Sequence, residues 1–424
     1  PSTSCFGCSL AAYGDYILIG APGSIGINGV VTAGAAYVFK KEGDQWIEKA
    51  MLIPSDFVAS QGFGSAVSLY GDYAIIGSAL DDIDGLTHSG SAYIFKKEGE
   101  EWIERTKLIP SDPTDQASFG FHVSINEEFA FVGSTRAFNA DGIRTGAVYT
   151  YKRSGQDWTA QSKLTPSDGM EVDVFYKPIV SGNRLLVGST NSPIYNDIGK
   201  GAGYIYIRDG DDWVEADKLI PNEDLEGDLQ LKGMGLSSNY VALASSFNTD
   251  CAPVHLYKLN ETENSWNKVN VLMGLGQENQ RYGHDVSVSD DYLAVGAAHT
   301  YYHYNDNDSI RTGAVYVYDL NTLVSEEEVL KRSNIVTLVP NPATQIIRIS
   351  VTDAAYSIPD SEIELYDTNG RLLKTYSDKS LVNESSWELD ISHLTSGVYF
   401  VRIASTTQGA ASKRYFHSDR FIKN

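Results

Sequence analysis

Residues 39–56 read FKKEGDQWIEKAMLIPSD, and residues 95–112 read FKKEGEEWIERTKLIPSD. The copies lie 56 positions apart, with the Trp and the LIPSD ending in register. The same Trp marks a period along the chain: Trp46, Trp102, Trp158, Trp213 and Trp266 recur at spacings of 56, 56, 55 and 53. Such self-similarity signals stacked supersecondary units, each unable to bury its apolar face alone.

Upstream of each Trp stands an alternating pair: Tyr37/Phe39, Tyr93/Phe95, Tyr149/Tyr151, Tyr204/Tyr206 and His255/Tyr257. A sixth pair, Tyr316/Tyr318, has no Trp segment after it. Further upstream come GDYILIGAP (14–22), GDYAIIGSA (71–79), EEFAFVGST (127–135), NRLLVGST (183–190) and DYLAVGAA (291–298). An aromatic-Gly pair opens the units at Phe6-Gly7, Phe63-Gly64, Phe119-Gly120 and Tyr282-Gly283, and blurs in VFYKPIV (174–180) and LKGMGLS (231–237). One unit therefore reads as four strands: FGSAVSL, YAIIGS, GSAYIFKK and EWIERTKLI. Period-two alternation and β-branched content support strands over helices. The EGD and EGE stretches supply hairpin turns.

Four antiparallel strands per unit are the blade of a β-propeller, which buries blade faces against each other and leaves few edges. An open solenoid is the alternative. The fold class expected is all-β: six visible propeller blades, seven when intact, plus a small C-terminal immunoglobulin-like β-sandwich. The repeated aromatics would fill the seams, each contributing roughly 2–3 kcal/mol when buried.

With these motifs in place, residues 1–320 resemble FG-GAP repeats, the blades of integrin α-subunit propellers and of many bacterial surface proteins. The resemblance implies a propeller, most often seven-bladed. Pro1-Ser2 before Phe6-Gly7 matches Pro54-Ser55 before Phe63-Gly64, so the expectation is a chain truncated at its N-terminus, with a Trp strand or a whole blade upstream.

Antiparallel order puts loops 1–2 and 3–4 on one face and loops 2–3 and 4–1 on the other. Loops 1–2 are tight turns, whereas loops 2–3 are long and differ from copy to copy. Variable loops on a rigid frame are where function sits. Two clusters stand out there. Tyr301, Tyr302, His303 and Tyr304 offer amphipathic area for a ligand, or else pack over a neighbouring blade. Asp81, Asp82 and Asp84 offer hard oxygens for Ca²⁺, or else form a solvated acidic loop. Integrin-like members carry cation loops in the 1–2 connection, here shortened to a turn. Calcium is thus the one candidate cofactor.

Catalysis is not expected. His122 and His284, the latter beside Asp285, fall on innermost strands, but no motif marks a nucleophile. The SD of IPSD recurs at equivalent positions, as a structural turn does. A glycosidase carboxylate pair cannot be read from spacing.

The net charge of −22 disfavours nucleic acid and anionic membrane as partners. No apolar run reaches the ~20 residues of a membrane helix. Cys5-x-x-Cys8 would suit a redox or metal pair, yet with only Cys251 besides there is no second pair for zinc. Both are read as buried or incidental thiols.

After Tyr318 the repeat stops. The expected domains are 1–322 propeller, 323–334 linker and 335–424 a separate β domain. The last segment reads IVTLVPNPATQIIRISV, EIELYDTNGRLLKTY, SWELDIS, LTSGVYFVRI and a basic final strand through Lys423. These motifs, from Pro340-Asn341-Pro342-Ala343 onward, resemble the C-terminal sorting domain of type IX secretion cargo from Bacteroidetes. The resemblance implies export, with residues 335–424 meeting the secretion machinery, to the medium or the outer-membrane surface of a Gram-negative bacterium. The reading is a monomeric, non-enzymatic protein binding an extracellular protein or glycan. A polysaccharide-active enzyme, or a spacer propeller for a lost N-terminal domain, are the alternatives.

Overall fold

The computed structural model describes residues 5–24, 34–58, 61–168, 173–191, 201–221, 229–247, 252–272, 281–298, 301–303, 309–311, 313–323, 336–339, 345–351, 361–367, 372–376, 381–383, 386–405 and 414–423. The chain forms two compact units, Pro1–Asn239 and Tyr240–Asn424. That division falls inside the repeats. Most of the 323–334 linker lies outside the described residues.

The first unit holds four complete blades. They are β1 (Ser9–Tyr13), β2 (Tyr16–Ala21), β3 (Ala35–Glu42) and β4 (Gln45–Leu52); β5 (Phe63–Tyr70), β6 (Tyr73–Ser78), β7 (Ser91–Glu98) and β8 (Glu101–Leu108); β9 (Phe119–Ile125), β10 (Phe129–Ser134), β11 (Ala147–Ser154) and β12 (Asp157–Leu164); and β13 (Asp173–Ser181), β14 (Arg184–Asn191), β15 (Ala202–Asp209) and β16 (Asp212–Leu219). Each sheet runs in simple chain order with antiparallel neighbours. β17 (Leu229–Leu236) opens a fifth sheet of order β17-β18-β19-β20.

First strands of neighbouring blades lie close together, while fourth strands barely touch. The blades therefore radiate from an axis, as in a propeller. At the inner end the backbones meet. A Cβ on Gly77 would stand 1.9 Å from the Gly120 carbonyl oxygen of the next blade. Gly120 itself has φ +90° and would drive a Cβ to 2.1 Å from the Ser91 oxygen. The aromatic-Gly pair and the strand-two glycine are thus two halves of one joint. Only residues lacking Cβ permit that approach and that dihedral.

Between blades, apolar faces interlock. Leu18, Ala36 and Val38 of the first blade pack with Phe63, Val67, Ile76 and Tyr93 of the second. Phe129 and Phe131 of the third pack with Phe175, Tyr204 and Trp213 of the fourth. The bulge each fourth strand carries, as at Arg105 opposite Ile94 and Phe95, twists the outer edge.

The second unit contains β18 (Tyr240–Phe247), β19 (Val254–Asn260) and β20 (Ser265–Leu272), then β21 (Tyr282–Val288) and β22 (Tyr292–Ala297). A short hairpin, β23 (Tyr301–His303) with β24 (Ser309–Arg311), precedes β25 (Ala314–Asp319). The sixth blade is the three-stranded sheet β21-β22-β25. Tyr240, Ala242, Val254 and Leu256 share a core with Tyr282, Val286 and Val295.

The C-terminal strands are β26 (Val336–Val339), β27 (Ile346–Val351), β28 (Ser361–Asp367), β29 (Leu372–Tyr376), β30 (Leu381–Asn383), β31 (Ser386–Asp390), β32 (Gly397–Ser405) and β33 (Arg414–Lys423). They form two antiparallel sheets, β26-β27-β31-β30 and β29-β28-β32-β33. Ile347, Ile349 and Leu389 are buried on one, and Ile363, Leu365 and Val401 on the other. Tyr376 OH donates to the Asp390 carbonyl across them at 3.2 Å.

Candidate functional site

The repeated polar residues are spent on joining blades. Asp56, at the end of LIPSD, accepts Tyr93 OH at 2.8 Å and Lys107 Nζ at 2.6 Å. Asp112 does the same with Tyr149 and Lys163, both at 2.6 Å. Asp168 accepts Tyr204 at 2.7 Å and Lys218 at 2.5 Å. In each case the ammonium also lies over the Tyr ring. Burial works against the charged carboxylates, but the Lys and Tyr hydrogen bonds outweigh it and hold all three below the ordinary value. The Ser of the motif is engaged too: Ser55 Oγ donates to Glu104 at 2.8 Å, and Ser167 Oγ to Glu215 at 2.6 Å. The IPSD segment is therefore a staple to the following blade.

The long-loop face is braced by backbone. Thr87 N–H donates to Asp115 at 2.8 Å, Gln116 N–H to the Thr87 carbonyl at 2.8 Å, and Ser118 N–H to the His88 carbonyl at 3.0 Å. Leu80 N–H donates to the Gln61 carbonyl at 3.0 Å. Loops 2–3 and 4–1 thus share one face, as strand order requires. In the third blade, Asn139 Oδ1 accepts the N–H groups of Asp141 and Ile143, and Arg144 lies 5.0 Å over the Phe138 ring. Leu80 and Ile109 are exposed on this face, with Asp82, Asp84, His88 and Arg136.

The acidic candidates do not converge. Asp81 is buried, and its carboxylate takes Gln61 Nε2 at 2.9 Å, Ser91 Oγ at 2.6 Å and Lys107 Nζ at 2.8 Å. Desolvation opposes charge at Lys107, but Asp56 and Asp81 together raise its pKa. Asp82 accepts the His88 N–H at 2.7 Å, and exposed Asp84 holds a left-handed turn at φ 52°. Among the described residues no three His, Cys, Asp or Glu side chains are grouped to hold a metal.

Tyr301, Tyr302 and His303 form β23 of the small hairpin, with Tyr301 opposite Arg311 and Tyr302 opposite Ile310. Tyr304 lies outside the described residues. His122 sits on first strand β9, opposite Gly133. Desolvation, with the positive charge of Lys177 second, lowers its pKa to about 3, so the ring is neutral. His284 and Asp285 are exposed on β21. The Asp285 carboxylate accepts the N–H of Val286 at 3.0 Å.

One expectation is corrected. Cys5 and Cys8 are joined by a disulfide, with Cα atoms 5.5 Å apart. A local turn, with Cys8 N–H donating to the Cys5 carbonyl at 3.1 Å, brings them together. The spacing was legible, and an oxidising destination was the signal that could have favoured a bridge over free thiols. The Lys partners of the Asp staples were also missed. Their regular recurrence at 107, 163 and 218 was the available sign.

The model for the FG-GAP repeat matches residues 2–39, 46–95, 102–151 and 275–318. The model for the secretion system C-terminal sorting domain matches residues 337–416. No curated protein matches the chain. Among solved structures, the WD40 repeats of RRP9 align at 11% identity and TM-score 0.45, covering 73% of this chain and 79% of that one. The periplasmic gluconolactonase PpgL of Pseudomonas aeruginosa aligns at 11% identity and TM-score 0.43, covering 90% of this chain and 85% of that one. Likeness at that level carries no functional argument. Among the described residues no helix is long and apolar enough to cross a membrane. The sorting domain places the protein outside the cell, at the surface or released, by way of the type IX machinery. This chain is an exported protein of FG-GAP propeller blades followed by a type IX secretion C-terminal sorting domain.

Proposed function

We propose that the protein acts by binding, without catalysis, and that its long-loop face recognises an extracellular protein or glycan on the surface of a Bacteroidetes cell. The observation that carries this reading is a division of labour. Repeated polar residues such as Asp56, Asp112 and Asp168 are consumed by blade joints. The described long loop of the second blade is nevertheless braced, as Thr87 is on Asp115. Pre-ordered loops bind with less ordering cost than floppy ones. Tyr301, Tyr302, His303 and Tyr304 belong to the longest of the 2–3 segments in sequence and supply the aromatic anchors. The test is to probe glycan and protein arrays with the full chain, then with Tyr301, Tyr302 and Tyr304 all changed to Ala. Binding should vanish with Tm nearly unchanged. Retained binding would place the anchor elsewhere. Release of reducing ends from a polysaccharide by the wild-type chain would reject the non-enzymatic reading.

A further inference from the structure

Within the first unit, the long loop between β6 and β7 meets the segment between β8 and β9. Thr87 N–H donates to Asp115, Gln116 N–H to the Thr87 carbonyl and Ser118 N–H to the His88 carbonyl. Asp82 accepts the His88 N–H at 2.7 Å. From the following blade, Arg136 donates Nη1 to Gln116 Oε1 at 3.4 Å and its N–H to the Ala117 carbonyl at 3.3 Å. Asp82, His88, Gln116 and Arg136 are all exposed. Three stretches of chain thus bring four planar polar groups to one junction of the second and third blades.

The backbone there is strained. Asp84, His88, Gln116 and Ser118 hold φ of 52°, 51°, 58° and 53°. In that left-handed region a side chain crowds the backbone, and glycine alone escapes. Ser118 follows a joint of the repeat, for Cys5 and Arg281 are left-handed at the same place before their aromatic-Gly pairs. Asp84 and His88 answer to no such joint. The long loop of the third blade turns left-handed only at Gly142 and Gly146, and carries Arg144 in ordinary backbone at the place of His88. Ser89, next in the chain, adds a fully buried hydroxyl with no hydrogen-bond partner among the described residues. Strain of this kind gathers where side chains serve something other than stability.

We propose that this junction is a subsite for a neutral glycan, with Asp82, His88, Gln116 and Arg136 holding adjacent sugar hydroxyls. Carboxylate, imidazole, amide and guanidinium offer donors and acceptors in fixed planar geometry, which suits neighbouring hydroxyls on a pyranose ring. Backbone set in advance lowers the ordering cost of gripping them. Asp82, Asp84 and Asp115 outweigh Arg136, in a chain of net charge −22, so an acidic polysaccharide is repelled. The inference rests on the reading that the long-loop face binds, and it names the ligand class and further side chains for that face.

Titration calorimetry of the full chain with oligosaccharides of a β-glucan, a mannan and a xylan, with alginate as the acidic counterpart, tests this beside the protein array. The wild type should bind a neutral oligosaccharide and leave alginate alone. His88→Gly and Gln116→Gly should each weaken binding about fivefold or more, as a hydrogen-bonding group is lost. Their Tm should hold or rise, because glycine relieves the left-handed backbone. His88→Ala, which keeps the strain, should lose as much affinity as His88→Gly, assigning the loss to the ring. A fall in Tm with either glycine variant marks these side chains as braces and overturns the proposal. Neutral-sugar affinity untouched by the variants overturns it too, as does binding of alginate or of a protein alone; the wider binding reading survives those results. A wild type that binds no sugar and no arrayed protein overturns both.

Discussion

Trp158 of the third blade stands edge-on to Tyr73 of the second, ring centroids 5.8 Å apart at 77°. The positive ring edge meets the negative face of its neighbour. Arg153 Cζ lies 4.9 Å from the same Tyr73 ring. One aromatic head thereby holds two side chains of the next blade, and the seam is sealed at its outer end.

Removing that indole should therefore be costly. Trp158→Ala is expected to destabilise by about 3–5 kcal/mol, as for other large buried side chains. Trp46→Ala, at the equivalent but exposed position, should stay within about 0.5 kcal/mol. Denaturant midpoints of the two variants, compared at constant slope, measure the difference.

The inner joint makes a second contrast. Gly77→Ala forces a methyl against the Gly120 carbonyl, and no flexible atom can yield, so a loss of at least about 1–3 kcal/mol is expected. Gly99→Ala meets nothing within 4 Å and suffers only from its φ of +62°. Its loss should be about 1 kcal/mol. Equal Tm shifts for both variants would contradict the joint.

Acid should act on the Asp staples. Asp56, Asp112 and Asp168 have folded pKa values below their ordinary ones. Their stabilisation is complete above the unfolded value, about 3.9, and drains away as pH falls through the folded values. Asp112→Asn should lower Tm at pH 7 and flatten the loss below about pH 4. An unchanged acid limb in the variant would remove the staple from the account.

The two depressed histidines act in a different window. Burial, with Lys177 and Lys268 as second causes, lowers His122 and His255 to about 3. The unfolded chain takes up protons near pH 6.5 while the folded chain does not. Stability therefore declines as pH falls from about 6.5 towards 3. His122→Gln should flatten that stretch of a Tm-versus-pH curve and leave the limb below about pH 4 intact.

Chelation gives a simple check on the acidic loop. Asp81 is already compensated by Lys107, so EDTA should leave Tm unchanged. A drop of several degrees, restored by Ca²⁺, would reinstate Asp81, Asp82 and Asp84 as ligands.

Much of the fold was legible because its signals are local and repeated. Strands FGSAVSL, YAIIGS, GSAYIFKK and EWIERTKLI emerge within a residue or two of β5, β6, β7 and β8, since alternation and turn glycines act over short spans. The blurred openings of blades four and five still form β13 and β17; backbone pairing tolerates Lys177 where other blades carry Ala66 or His122. What stayed hidden depends on geometry between units of the repeat. Asp81 read either as a Ca²⁺ ligand or as part of a solvated acidic loop, because nothing in LDDID announces that Lys107, 26 positions later, comes to its carboxylate. Trp46 read as equivalent to Trp102 because exposure belongs to the neighbour, not to the residue. The sharing of one face by loops 2–3 and 4–1 was legible from strand order, since it follows from antiparallel neighbours alone.

The bridge between Cys5 and Cys8 closes a ring of four residues just ahead of β1. So small a loop restrains few unfolded conformations, and its value as a brace is slight. Its worth lies in bookkeeping of another kind. Cytosolic thiols are kept reduced, and the bond forms only in an oxidising compartment. In newly synthesised protein, alkylation of these two sulfurs would label molecules still awaiting passage across the inner membrane and spare those already beyond it, giving an export clock written into the chain itself.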